Sequence, residues 1–384
     1  MKYSVVSLFS GSMGLDLGLA ATGRFKHLAC VELDPSACRT IRVNRDAGRV
    51  DPGRLYKDDI EKLDPRRVMS DLELRPGHLD VLVGGPPCQA VSTIGKQGGV
   101  QDVRGLMLWQ MLWYVEAMRP KAWLLENVSG LLSARLSPQD GKGTLLARFL
   151  ADVPRDYRLD VFTVNAMDHG VPQNRERVLV VGNRLGGVAD FPPPTHGPGR
   201  TPYRTLADAV VGLEDPDPVV ARYTARRREV LDQVPPGGCW RDLPPEVARE
   251  GMGKGYYGSG GRPGWFRRLN WERPSPTILT DAAQVMSCLC HPDETRPLSV
   301  RECARVQTYP DDWEFVGGMA EQYRCVGNAV PPGLGSVAGN AVADLLDGVA
   351  GSTVAEAERI RFVDLAAATR AQRRKNARQV CRAG

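Results

Sequence analysis

The sequence predicts an α/β protein, a doubly wound, mostly parallel sheet with a second, smaller, loop-rich domain. Three observations predict it. Short apolar runs alternate with helical patterns through the first 190 residues. Those runs are apolar almost without interruption, as strands covered on both faces are. The alternation then stops at Pro192-Pro193-Pro194-Thr195-His196-Gly197-Pro198-Gly199, a run of turn formers that marks a boundary.

Strands are predicted at 5–9, 28–32, 80–84, 122–126, 161–165 and 177–182, with helices at 35–46, 106–118 and 144–150 between them. Ligands in such sheets bind at the carboxyl ends of the strands, so those ends are the places to search. The first strand runs into Phe9-Ser10-Gly11-Ser12-Met13-Gly14. Gly11 and Gly14 let a cofactor approach the backbone there, although many nucleotide enzymes share this signal. The second strand ends Val31-Glu32-Leu33-Asp34. An acid at that point accepts from ribose hydroxyls, or simply serves the next helix N-terminus. In Asp58-Asp59-Ile60, Asp59 is placed to accept from an adenine amine while Ile60 packs on the ring; a plain turn is the alternative.

The most informative stretch follows Val81-Leu82-Val83 and reads Gly84-Gly85-Pro86-Pro87-Cys88-Gln89. Two consecutive prolines fix φ and remove two backbone donors, so this is a stiff loop. A thiol at its tip is better placed to attack a ligand over the strand ends than to fill a core. Further on, Ala122-Trp123-Leu124-Leu125-Glu126-Asn127-Val128 ends a buried strand in a carboxylate at the same sheet edge. Burial there favours a carboxyl that donates a proton or a hydrogen bond. Gln173-Asn174-Arg175-Glu176-Arg177 has alternate arginines, and period-two spacing predicts that Arg175 and Arg177 share a face. Such a pair suits phosphate, carboxylate or carbonyl oxygens.

The region after 191 is rich in Gly, Pro and Arg up to about 295, and residues 251–264 hold seven glycines. Loops of this kind on a scaffold commonly carry recognition. Helical patterning returns near 298 and at 333–346. The net charge is +5, but residues 359–384 hold eight Arg/Lys against one acid, hence +7, so the rest of the chain carries −2. A nucleic-acid surface on the body must therefore be a local patch. Nine cysteines lack regular spacing and are expected as reduced thiols. Cys288, Cys290 and His291 match no common zinc pattern, and no metal is expected. No run approaches the roughly 18 apolar residues of a membrane helix.

These elements, in this order, resemble the DNA cytosine-5 methyltransferase family, of the bacterial restriction-modification or solitary type. The resemblance spans about residues 4–346. It rests on the loop at 9–14, Glu32, Asp59-Ile60, the Pro-Pro-Cys-Gln stretch, Asp102-x-Arg104-Gly105, Glu126-Asn127-Val128 and Gln173-x-Arg175-x-Arg177. After the variable region it continues with Arg296-Pro297-Leu298-Ser299-Val300-Arg301-Glu302-Cys303-Ala304-Arg305-Val306-Gln307 and Gly327-Asn328-Ala329-Val330-Pro331-Pro332. It implies a Rossmann-like fold and methyl transfer from S-adenosyl-L-methionine to C5 of a flipped-out cytosine in a short duplex site, through a covalent Cys88–C6 adduct.

In that reading the catalytic residues are Cys88, Glu126, Asn127, Arg175 and Arg177. Glu126 holds N3 and the exocyclic amine, Asn127 positions its loop, Arg175 contacts the base carbonyl and Arg177 orders the strand end. The cofactor site comprises Phe9, Gly11, Gly14, Glu32, Leu33, Asp59, Ile60, Pro86 and Asn328. Gln89, Ser92 and Arg104, on the segment that closes over the base, and Arg262 and Arg267 beyond it contact DNA. Residues 1–190 with 320–350 form the catalytic and cofactor-binding domain, and 191–319 the target-recognition domain. The basic tail, 351–384, lies outside the resemblance, either as a helix gripping flanking DNA or as a solvated extension. The expected partners are double-stranded DNA and an independently acting cognate restriction endonuclease, with no membrane. A cytoplasmic, nucleoid-associated monomer is expected.

Two departures stand out. Met13 occupies a position where the family usually has glycine, and Ser7 one where it often has Asp. The methionine either crowds the cofactor's own methionine moiety or packs beneath it. A tRNA cytosine-5 methyltransferase of the same fold is the first alternative. Ala90-Val91-Ser92 after Cys88-Gln89 and a variable region of about 100 residues speak against it. A non-catalytic DNA-binding relative is the second, and retention of both thiol and glutamate speaks against that.

Overall fold

In a computed structural model of the chain, the structure describes residues 2–87, 107–257, 264–284, 287–348, 359–367 and 369–371. The alternation predicted from sequence is present: β1 (Tyr3–Leu8), α1 (Gly14–Ala21), β2 (Phe25–Glu32), α2 (Pro35–Asp46), β3 (Arg54–Lys57), α3 (Pro65–Asp71), β4 (Val81–Gly84), α4 (Met107–Met118), β5 (Ala122–Val128), α5 (Thr144–Asp152), β6 (Arg158–Asn165), β7 (Gln173–Asn174) and β8 (Glu176–Asn183). The second half adds α6 (Leu206–Val210), α7 (Ala225–Leu231), α8 (Pro245–Met252), β9 (Ser275–Pro276), α9 (Val300–Val306), α10 (Met319–Asn328), α11 (Pro332–Gly348) and β10 (Ile360–Asp364).

The sheet has the order β10-β6-β8-β5-β4-β1-β2-β3. All neighbours pair in parallel except β8, which is antiparallel to both β5 and β6. The order reverses between β1 and β4, and the crevice at such a switch point is where doubly wound sheets bind ligands. Alternation along each strand divides the core. Val6, Leu8, Leu82, Trp123 and Leu125 face α3, α4 and α5. Val5, Val81, Val83, Ala122 and Leu124 face α1 and α11. A β4 of Val-Leu-Val-Gly is buried throughout, which is why its sequence shows no polar face.

Local signals set the boundaries. Pro35 opens α2, and the Asp34 carboxylate accepts from the Ser36 and Ala37 amides, satisfying donors the helix cannot pair. Ser299 and Glu302 form a reciprocal capping box at α9.

Residues 191–319 are divided between two cores. Tyr223, Leu231, Val234, Leu243, Met252, Trp265, Phe266, Cys288 and Cys290 form a small core of their own. Arg268 is buried within that region, donating to the carbonyls of Leu231 and Val234. In contrast, α6, α9 and Phe315 pack with α10 and with Ala37 and Ile41 of α2, so the chain has joined the body again before 319.

Part of the C-terminal segment differs from expectation; residues 349–358, 368 and 372–384 lie outside the described residues. In place of a helix or a solvated extension, residues 360–364 form β10, parallel to β6 at the sheet edge. Arg359 donates to the Val153, Pro154 and Tyr157 carbonyls, and Arg361 pairs with Asp160 at 2.6 Å. These positive charges are therefore spent within the fold. No helix among the described residues is long and apolar enough to cross a membrane.

Candidate active site

The β1–α1 loop sits at the switch point. Phe9, Gly11 and Met13 all have positive φ, at 54°, 55° and 63°. Glu32 at the end of β2 clamps this loop: Oε2 accepts from the Gly11 amide at 2.7 Å and Oε1 from the Asp34 amide at 2.7 Å. Burial, the largest influence, raises the Glu32 pKa; the two amides oppose it. Leu33 next to it is 60% exposed, a large apolar side chain left open beside an acid. Asp59 is partly buried and caps its own turn at the Glu61 amide, with Ile60 buried beneath it. Asn328 ends α10 with its side chain exposed.

Two residues of this loop are fixed by packing. Gly14 is a packing glycine: a Cβ there would begin 2.1 Å from the Val330 carbonyl oxygen and 2.9 Å from the Tyr309 hydroxyl. Met13 is fully buried, in the cluster with Cys30, Ala37 and Ile41. It packs beneath the loop, the second of the two arrangements its sequence position allows.

The other half of the site lies over β4, β5 and β8. Cys88, Gln89, Ser92, Arg104 and Arg262 lie outside the described residues. The loop leading to Cys88 is described as far as Pro87. Asn127 Nδ2 donates to the buried Pro86 carbonyl at 2.9 Å, so Asn127 ties β5 to that loop. A side chain at Gly85 would begin 3.4 Å from Glu126 Oε2, which places the carboxylate beside the same loop.

Because β8 runs antiparallel to β5, its amino end lies at the carboxyl edge of the parallel strands. Arg177 is opposite Val128 and diagonal to Glu126, on one face. Arg177 Nε is 2.7 Å from Glu126 Oε1, both side chains largely buried. Arg177 Nη1 also donates to the Glu176 carbonyl at 2.7 Å.

Arg175 is placed elsewhere. It interrupts β7 and β8, so period-two spacing fails across it and the two guanidiniums part. Its Nη1 donates to the Ile278 carbonyl at 3.1 Å, and Nη2 to the Gly327 and Ala329 carbonyls at 3.0 and 2.9 Å. Burial, followed by the Arg177 charge, pushes its pKa well down. Arg177 thus stands at Glu126, and Arg175 locks three backbone segments together.

Sequence reasoning also missed a glutamine pair. Gln173 Nε2 donates to Gln307 Oε1 at 2.7 Å, and Gln307 Nε2 to the Val326 carbonyl at 2.7 Å. Gln173 Oε1 accepts from the Ile278 amide at 3.0 Å. Gly327 completes this contact, since a Cβ there would begin 2.4 Å from the Leu279 backbone. The only available signal was that both glutamines fall inside motifs. Arg267 is partly buried, and its Nε donates to the Cys288 carbonyl. It lines a cavity of about 300 Å³ with Asn174, Pro276, Thr277 and Leu279.

A switch-point loop clamped by a strand-end acid, facing a buried Glu–Arg pair beside a Pro-Pro turn, defines a nucleoside-cofactor transferase of the doubly wound class. Comparison with known proteins makes this specific. Residues 3–343 match the family model described as C-5 cytosine-specific DNA methylase, and the chain belongs to that family. It is 38% identical over 333 residues to the Type II methyltransferase M.Sau96I of Staphylococcus aureus, covering 86% of this chain and 74% of that protein. It is 39% identical over 346 residues to M.PspPI of a Psychrobacter species, covering 87% and 77%. Among solved structures, a candidate DNA modification methyltransferase encoded within an Escherichia coli prophage superposes with a TM-score of 0.62, at 23% identity, over 90% of this chain and all of that one. The last likeness concerns the fold alone. The chain is an S-adenosyl-L-methionine-dependent DNA (cytosine-5) methyltransferase, acting by the family's covalent mechanism.

Proposed function

We propose that Cys88, Glu126 and Arg177 carry the methylation of cytosine at one short duplex sequence, with Arg175, Asn127 and Gln173 holding them in place. The buried Arg177–Glu126 pair beside the Gly85–Pro86 turn is the observation that carries this reading. C5 of cytosine is a weak nucleophile. The Cys88 thiolate adds to C6, a C–S bond forms, and electron density moves to C5. Glu126 faces N3 and the exocyclic amine and stabilises the charge that develops there. Arg177, fixed by that carboxylate, contacts the base carbonyl. Bound cofactor supplies the methyl group. Water then takes the C5 proton, the C–S bond breaks, and the thiolate is restored. The reaction needs an extruded base, because C6 is unreachable in a stacked duplex.

The residues present fit the cofactor. The Glu32 oxygens are anchored by amides yet retain lone pairs for ribose hydroxyls. Leu33 offers an exposed apolar surface for the adenine, Asp59 stands by for its amine, and the 9–12 loop and the exposed Asn328 complete the cofactor's contacts. Residues 223–290, with their own core, read the site, and Arg267 projects from them into the cleft as a base-contact residue. The enzyme acts as a nucleoid-associated monomer, alongside a restriction endonuclease of the same specificity. Duplexes containing 5-fluorocytosine test the mechanism, since fluorine at C5 blocks proton loss. Wild type should form a denaturation-resistant complex with DNA and Cys88→Ser none; trapping by the serine variant would remove Cys88 from its role.

A further inference from the structure

The family match ends at residue 343, yet residues 360–364 are built into the sheet. β10 covers β6, the strand that would otherwise be the edge. Beyond β10 the chain meets the β6–β8 connection, which carries Asp168, Gln173 and Arg175, and the first residue of β8, Glu176. Two side chains grip it there. The Thr369 hydroxyl, buried, lies 2.6 and 2.7 Å from the Asp168 carboxylate oxygens. Asp168 follows β6, and its carbonyl accepts from the Thr195 and His196 amides at 2.8 and 3.0 Å. Arg370 Nη1 lies 3.1 Å from Glu176 Oε1, with Asp364 orienting the same guanidinium.

Glu176 connects this grip to the reaction site. Its side chain faces Arg370 and its carbonyl holds Arg177 Nη1, while Arg177 Nε holds Glu126. The amino end of β8 needs such support. Arg175 breaks the strand immediately before it, and the ladder to β6 ends at the Asn165–Glu176 pair. We propose that the segment beyond β10 is a positioning strap for the Arg177–Glu126 pair, with Thr369 and Arg370 as its positioning residues. This rests on the assignment of Arg177 and Glu126 to the flipped base. A displacement of an ångström or less at such a pair costs rate far more than it costs binding of a cofactor held at β1 and β2.

The test uses the full chain and tritiated methyl transfer to bacterial genomic DNA lacking 5-methylcytosine. Thr369→Val and Arg370→Ala should each lower kcat about tenfold, with KM for S-adenosyl-L-methionine within about twofold of wild type. Thr369→Ser should restore the rate. Arg361→Ala, which loses Asp160 at the far end of β6, serves as the stability control, and its kcat should stay at wild type whatever its melting temperature. Arg370 is partly exposed, so its variant remains informative if Thr369→Val folds poorly. Unchanged kcat in Arg370→Ala, or equal losses in Arg370→Ala and Arg361→Ala, overturns the strap. Glu126→Gln and Arg177→Ala in the same assay separate the two ideas: if they retain full rate, the underlying assignment fails; if they lose it while the strap variants do not, the strap alone fails.

Discussion

Arg177 Nε lies 2.7 Å from Glu126 Oε1, and the two residues belong to neighbouring antiparallel strands, not to one loop. The pair depends on the single reversed strand of the sheet. Were β8 parallel to β5, its amino end would lie at the opposite edge and the carboxylate would be buried alone.

Breaking that pair should therefore cost stability as well as rate. Arg177→Ala leaves a largely buried carboxylate without its partner, which typically costs about 3–5 kcal/mol. Glu126→Gln keeps the shape and a hydrogen bond, so it should cost less stability while still slowing methyl transfer by about 100-fold or more. Urea unfolding beside single-turnover methylation separates the two losses. Equal destabilisation by both variants would contradict this account.

Arg175 should be a stability residue first. Its guanidinium satisfies the Ile278, Gly327 and Ala329 carbonyls, which Arg175→Lys cannot reach together with one ammonium. We expect Arg175→Lys to lose about 2–3 kcal/mol of unfolding free energy, from buried acceptors left unmet. Denaturant midpoints check this, and a wild-type midpoint would remove Arg175 from the lock.

Met13→Gly sets two effects against each other. Relieving a left-handed φ of 63° at a non-glycine residue gains roughly 1 kcal/mol. Emptying a fully buried methionine site costs about 2–5 kcal/mol. Burial wins, so the variant should melt at a lower temperature than wild type. A higher melting temperature would mean that the cluster around Cys30 and Ile41 closes the space.

Cofactor affinity should depend on pH through Glu32. Burial raises its pKa in the folded protein, so the folded state holds a proton there over a window in which the unfolded chain does not. The ionised carboxylate therefore costs stability near neutral pH, a cost that is lifted as pH falls through the raised value. Binding runs the other way, since ribose hydroxyls need the ionised acceptor. Titration calorimetry should show affinity for S-adenosyl-L-methionine weakening as pH falls, above the ordinary glutamate range near about 4.3. In Glu32→Gln this component should be absent; its persistence would assign it to another group.

Much of this was legible in the chain. The α2 boundaries follow from Asp34-Pro35, and the buried strands announce themselves through runs such as Val81-Leu82-Val83. Other features were hidden for physical reasons. β3 is a four-residue edge strand, Arg-Leu-Tyr-Lys, too short to show a period. β10 runs Ile360, Arg361, Phe362 and Val363, but lies where charge counting reads a solvated tail; its arginine, Arg361, is neutralised by Asp160, some 200 positions away. The parting of Arg175 and Arg177 was hidden because a strand break at residue 175 cannot be seen in residue types. The packing at Gly14 was hidden because a packing glycine and a cofactor glycine look alike until Val330 is placed beside one of them.

Bisulfite sequencing of DNA from a methylation-free host expressing this chain, beside a Cys88→Ser control, tests the central claim most directly. The account predicts protected cytosines within one short motif, all lost in the control. Unprotected DNA from cells holding folded, cofactor-binding enzyme, or protection that survives the serine substitution, would contradict it.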